Sequence, residues 1–258
     1  MIPFNTITAW GVTHPWPTRE QVEQDLLLSQ ALCEIYSDPP LSKELVFRGG
    51  TAFHKLYLPE PYRYSEDIDF VRVTAGGIGE IMKRLTELGR RLGYVVNTQI
   101  GSFPKVLWRC ESQMGFPLKV KLEIDTYERS PALPLATMTH RIETDWYQRS
   151  ADLRVFQPEE LIATKLRALY QRAKGRDLFD IWLALTELQL DPARVIAAFA
   201  PYRPERYSSK LAIANLDIKL ASGSYRQDIG PLVSTRGASS YDIDVAAELV
   251  KQELLANV

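Results

Sequence analysis

The stretch YRYSEDIDFV, residues 62–71, sets the tightest constraint on this chain. From Asp67 to Phe70, acidic and apolar residues alternate with the period of a β-strand. Asp67 and Asp69 therefore leave the strand on one face, and Ile68 and Phe70 on the other. Two carboxylates that close repel each other, and burying them unpaired is costly. Either that face is solvated, or a cation sits between the acids.

Two further pieces bear on the choice. ELVFRGG reads as a short strand running into the Gly49–Gly50 turn, and Thr51 opens a short helical pattern, TAFHKLYL. A glycine pair opening a helix offers backbone N–H groups to an anion, although glycine pairs also mark ordinary turns. Further on, KVKLEID alternates again and sets Glu123 and Asp125 on the same face as Lys119 and Lys121. Each piece alone is common. A second YDID, at 241–244, reads as the start of the last helix rather than a metal site. The ordered combination is more specific. Three carboxylates from two strands suit two divalent cations about 3.5–4 Å apart, the arrangement used for in-line displacement at phosphorus. Mg2+ favours a few carboxylates together with substrate phosphates.

The remaining text predicts an α+β chain. Helical spacing covers TREQVEQDLLLSQALCEIY, with Thr18 and Gln21 as a capping box and SDPP as its stop. GIGEIMKRLTELGRRLG is an amphipathic helix. YVVNTQI, KVLWRCE, PLKVKLEIDTY and DLRVF are strand candidates. After Pro158 the pattern turns helical, through PEELIATKLRALYQRA, RDLFDIWLALTEL and DPARVIAAFAPY to the C-terminus. The expected organisation is a mixed, largely antiparallel sheet domain over residues 1–157, followed by a mostly helical domain over 158–258.

Composition narrows the function classes. The net charge of −1 carries no global nucleic-acid signature, so such a role needs a local patch. Residues 149–176 supply one, with seven Lys or Arg against three Asp or Glu. Cys33 and Cys110, without a CxxC pair, argue against a disulfide framework or a zinc site and for a reducing cytoplasm. The N-terminus lacks a signal-peptide pattern, and no apolar run reaches the roughly 18 residues of a membrane span. His14, His54 and His140 are scattered and make no ligand spacing.

FRGGTAFHKLY, YRYSEDIDFV, KVKLEI and PEELIATKLRALYQRAKGRDLFDIW together resemble the AbiEii-type nucleotidyltransferases, the toxin group that includes the MenT toxins, within the DNA polymerase beta-like superfamily. The resemblance spans residues 45–185. It implies that Gly49, Gly50 and Thr51 bind a triphosphate, that Asp67 and Asp69 are metal ligands, and that Glu123 is the third acid, with Asp125 as the alternative. Arg63 and Ser65 would touch phosphate or base. Lys165, Arg176, Asp177 and Asp180 match the helical motif, with Lys165 and Arg172 toward the nucleotide and Asp180 at the edge of the cleft. A structural Lys165–Asp ion pair is the competing reading of that motif, and an acid in a first helical turn, as at Asp177, also suits the helix dipole.

The resulting expectation is NMP transfer from an NTP to an acceptor hydroxyl with two Mg2+ ions. The resemblance points to RNA as acceptor, including a tRNA 3′ end, and to a toxin opposed by a cognate antitoxin. A small-molecule transferase of the aminoglycoside-modifying kind and a catalytically inactive binding protein are the rivals.

Overall fold

The computed structural model describes residues 1–258. Seven strands form one mixed sheet: β1 (Leu45–Arg48), β2 (Asp67–Arg72), β3 (Val95–Gln99), β4 (Lys105–Glu111), β5 (Pro117–Asp125), β6 (Ala136–Glu143) and β7 (Gln148–Val155). Their order across the sheet is β3-β4-β5-β2-β1-β7-β6. The β2–β5 and β1–β7 pairs are parallel and the other four antiparallel, so the sheet is mixed and largely antiparallel as expected. The acid-bearing strand β2 lies near the middle, between β1 and β5.

Twelve helices surround the sheet: α1 (Phe4–Thr13), α2 (Arg19–Tyr36), α3 (Pro39–Glu44), α4 (Gly49–Ala52), α5 (Gly79–Arg91), α6 (Pro158–Gln171), α7 (Gly175–Thr186), α8 (Pro192–Phe199), α9 (Ser209–Leu220), α10 (Gly223–Gln227), α11 (Thr235–Ser240) and α12 (Ile243–Glu253). No strand follows Val155. One apolar core nevertheless runs through both halves, from Ile2 through Phe47 and Ile68 to Phe179, Val250 and Leu255. No helix is long and apolar enough to cross a membrane.

Local rules explain most element ends. Thr18 and Gln21 exchange both hydrogen bonds of the expected capping box. Asp242 caps α12, so the second YDID starts a helix. SDPP stops α2 but also begins α3, because Asp38 accepts from the Leu41 amide and proline suits the first helical turn. Helix α1 and strand β6 had no counterpart in the sequence reading, and β7 begins four residues before DLRVF. TAFHKLYL is not one α-helix: α4 gives way to a π-helical turn, Phe53–Tyr57.

Helix α5 packs its Ile81, Met82, Leu85 and Leu88 inward, beside the fully buried Trp108 of β4. Trp108 donates to the Leu85 carbonyl at 3.1 Å, and a β-carbon on Gly89 would lie 2.5 Å from the indole nitrogen. The rigid ring cannot retreat within a close-packed core. Gly89→Ala is therefore expected to lose roughly 1–3 kcal/mol to overpacking, offset by about 1 kcal/mol of helix propensity. A thermal melt should show a lower Tm despite the better helix former.

Candidate active site

The β2–β5 register builds the site. Asp69 stands directly beside Glu123, and Asp67 beside Lys121, on adjacent parallel strands. The antiparallel β1–β2 register sets Arg48 opposite Asp69, so the Gly49–Gly50 turn that follows β1 arrives over the same carboxylate. Gly49 has φ +80°, a left-handed conformation that glycine adopts without strain. A β-carbon there would also stand 2.3 Å from Asp69 Oδ2. At Gly50 a β-carbon would meet Arg63 Nη2 at 2.7 Å and lie 3.5 Å from Lys165 Nζ. The glycine pair is thus required by contact: it lets the backbone lie against an acid on one side and two cations on the other.

A cleft opens over this face as two adjoining cavities of about 390 and 320 Å3. Gly50, Asp69, Glu123, Lys165 and Arg172 line both. Gly49, Asp125 and Arg167 border the first; Arg63, Ser65, Asp67 and Lys121 border the second. The fold thereby gathers β1, β2, β5 and α6 around one space.

The electrostatics of the acids differ. Burial, and then the neighbouring Asp67 charge, push Asp69 up to about 6. Burial also works against Glu123, but hydrogen bonds from Lys121 and Lys105 outweigh it and hold that carboxyl below its usual value. Lys121 Nζ sits 2.9 Å from Asp67 Oδ2 and 2.5 Å from Glu123, with Lys105 3.0 Å from Glu123. Asp67 Oδ1 is buried with no partner. No three His, Cys, Asp or Glu side chains converge into a metal-holding cluster; the Lys121 ammonium bridges Asp67 and Glu123. The donor set still suits a hard divalent ion. It consists of carboxylate oxygens, one of them orphaned, on a face that binds positive charge.

Other residues singled out in the sequence are engaged in structural contacts, some of them away from the cleft. The Thr51 side chain is fully buried, its hydroxyl donating to the Asp67 carbonyl and lying 2.9 Å from Ser65 Oγ, so it braces the turn to β2. Asp180 is fully buried rather than at the cleft edge. Arg63 Nε and Nη2 grip its two oxygens at 2.7 and 2.6 Å, Lys165 approaches to 2.9 Å and His54 to 2.8 Å. Burial opposes ionisation of Asp180, yet Arg63, Lys165 and His54 hold its carboxyl well below the usual range. Lys165 also pairs with Asp177 at 3.1 Å. It is at once a cleft residue and one member of a buried ion network. Arg172 lies past the end of α6 in extended backbone, and it meets Lys165 on Asp177. Asp125 faces Arg48 at 3.6 Å and accepts from the Tyr127 and Glu128 amides, so it shapes the following turn.

The basic stretch 149–176 does not form one patch. Arg149 approaches Glu34 and Arg154 bonds the Lys43 carbonyl, whereas Lys165, Arg167, Arg172 and Arg176 line the cleft. Lys105 and Lys121 were missed as site residues. Lys121 was legible from its alternation with Glu123, but nothing local marks Lys105. The three histidines are not scattered in space: His14, His54 and His140 border one cavity.

A profile of the nucleotidyl transferase AbiEii toxins of type IV toxin–antitoxin systems matches residues 30–248. The chain belongs to the AbiEii nucleotidyltransferase toxin family. Among solved structures, the MenT4 nucleotidyltransferase toxin of Mycobacterium tuberculosis is similar at 17% identity, covering 97% of this chain and 99% of that one with a TM-score of 0.53. That likeness is one of fold. A nucleotidyltransferase-like antigenic protein of Paracoccidioides brasiliensis is 18% identical over 88% of this chain and 92% of that one, with a TM-score of 0.43. Among curated proteins no sequence matches. As an AbiEii member the chain is a nucleotidyltransferase, its substrate an NTP, and it is the toxin half of a toxin–antitoxin pair.

Proposed function

We propose that this AbiEii toxin moves an NMP from an NTP to a hydroxyl of RNA, a tRNA 3′ end being the preferred acceptor, in the cytoplasm, where its antitoxin opposes it. The observation that supports NMP transfer is the register of Asp69 against Glu123 beneath the Gly49–Gly50 turn, and the cations Lys165, Arg167, Arg172 and Arg176 along the cleft favour a polyanionic acceptor. Gly49 and Gly50 receive the triphosphate, with Lys165 and Arg172 supplying positive charge along the cleft and Ser65 a hydroxyl at its edge. Arg63, committed to Asp180, positions the Gly50 backbone rather than gripping phosphate. Thr51 likewise supports the turn through its hydroxyl. The helical half, 158–258, closes over the bound NTP as a second domain, with α6 as the wall facing the sheet.

Asp67, Asp69 and Glu123 would hold Mg2+, two ions being expected, once Lys121 swings from its bridging position. The metal's contribution is to neutralise charge on the reacting phosphates. The acceptor oxygen bonds the α-phosphorus, the bond from that phosphorus to the α–β bridging oxygen breaks, and pyrophosphate leaves. Glu123, which Lys105 still helps to keep ionised after Lys121 has moved, takes the hydroxyl proton. A metal ligand must be deprotonated. Transfer is therefore expected to fall as pH drops through about 6, where Asp69 takes up its proton. A profile of kcat/KM for NTP against pH, which reports the groups of the free enzyme, checks this; an acid limb centred near pH 4 would assign the essential group elsewhere.

The acceptor is tested by incubating the protein with Mg2+, each labelled NTP in turn, and total RNA. Label on RNA, increasingly lost at higher salt, is the expected result, since phosphate contacts release counterions. Label on an aminoglycoside hydroxyl but on no RNA would favour the small-molecule rival.

A further inference from the structure

Beside the cleft, across Arg63 and Ser65, lies a separate cavity of about 200 Å3. Three buried polar atoms from its lining residues have no partner in the protein: Trp16 Nε1, His54 Nδ1 and His140 Nε2. The indole nitrogen is a donor only. His54 gives its Nε2 proton to Asp180, which leaves Nδ1 an acceptor in the neutral ring. Burial holds His54 down to about 4 and His140 to about 3, so both rings are neutral at physiological pH.

Apart from the exposed Glu60, the charged groups here are already satisfied. Lys55 donates to Asp25 at 2.6 Å and to Ser29 at 2.8 Å; Trp10 donates to the other Asp25 oxygen at 2.9 Å; Arg63 is held by Asp180. An anion would find no uncompensated cation. Its lining residues carry a mixed set of neutral donors and acceptors, buried beside the cavity, together with the Trp16 and His14 rings, whose centroids are 6.3 Å apart. Its volume is below the roughly 300–1,000 Å3 of pockets for drug-sized ligands, which suits a single heteroaromatic ring system. Proteins read unstacked bases through this combination of edge hydrogen bonds and aromatic contact.

We infer that this cavity takes one nucleobase, that of the acceptor nucleotide whose hydroxyl enters the adjoining cleft. The assignment of that base to the acceptor rests on the RNA reading above; the base pocket itself does not. Arg63 and Ser65 border both spaces, so a base seated here would lie beside the part of the cleft that Asp67 and Asp69 line.

The test has two parts. The Trp16 indole N–H resonance, assigned by its loss in Trp16→Phe, is followed while adenosine, guanosine, cytidine, uridine, ribose or inorganic phosphate is added. At least one nucleoside is expected to shift it, and ribose and phosphate are not. In the transfer assay, Trp16→Phe and His140→Ala are expected to raise KM for the RNA acceptor about tenfold while leaving KM for NTP unchanged. No shift with any nucleoside at millimolar concentration, or a shift with phosphate alone, would overturn the base pocket. A nucleoside shift together with unchanged acceptor KM, or with no RNA transfer by the wild type, would overturn its assignment to the acceptor.

Discussion

Asp69→Asn abolishes transfer and leaves the protein at least as stable as the wild type. Asp69 is the carboxylate that the β1–β2 and β2–β5 registers place against both the glycine turn and Glu123. The substitution keeps its volume and removes its charge. Losing a ligand that helps neutralise transferring phosphate is expected to cost several kcal/mol of transition-state stabilisation, a fall of on the order of 10³ or more. Stability should move the other way. The fold raises Asp69 from 3.8 to about 6, so it favours the protonated form. The stability tied to that protonation is complete below about pH 3.8 and is lost as pH rises through about 6. The neutral amide escapes this loss and the repulsion of Asp67, worth about 1–3 kcal/mol above pH 6. Melts across pH should show the variant ahead of the wild type at pH 7 and the two converging near pH 4. Near-wild-type turnover would remove Asp69 from the site.

Lys165→Met should be costly on both counts. Lys165 is buried, 3.1 Å from Asp177 and 2.9 Å from Asp180, while also lining both cleft cavities. Removing one partner from a buried ion network typically costs about 3–5 kcal/mol. Arg172 remains on Asp177, and Arg63 on Asp180, so the lower end is expected. For a chain of this length that is a Tm loss of roughly 10 °C. Transfer per folded molecule should also fall by on the order of 10², the effect of withdrawing a preorganised charge from a phosphoryl site. An unchanged Tm would mean that the ion pairs carry no net stability. Activity that follows only the folded fraction would confine Lys165 to structure.

The parts of this site that were legible are those that local periodicity reports. Alternation alone places Asp67 and Asp69 on one face, and Glu123 with Lys121 on another strand's face. The Gly-Gly pair marked a turn for the same local reason. What stayed hidden depends on pairing between distant segments. The Asp69–Glu123 register joins residues 54 apart, and it favours Glu123 over Asp125, which faces Arg48 instead. Asp180 finds Arg63 117 positions away and His54 126 positions away. No window of sequence could show that Asp180 is a buried hub rather than a cleft residue, nor that three histidines border one cavity. Strand β6 was overlooked because Ile142 is its sole buried residue, so its text carries little apolar alternation. Helix α1 was overlooked because only Thr6 and Ile7 of its ten residues are buried.

The central claim is that the carboxylate face under the glycine turn binds an NTP together with a divalent metal. Calorimetric titration of the four NTPs into the protein, in Mg2+ and in EDTA at pH 7.5, tests it most directly. The account expects at least one NTP to bind in Mg2+, and to bind at least about tenfold more weakly in EDTA or to Asp69→Asn. NTP affinity that is equal with and without Mg2+, and untouched by Asp69→Asn, would contradict it.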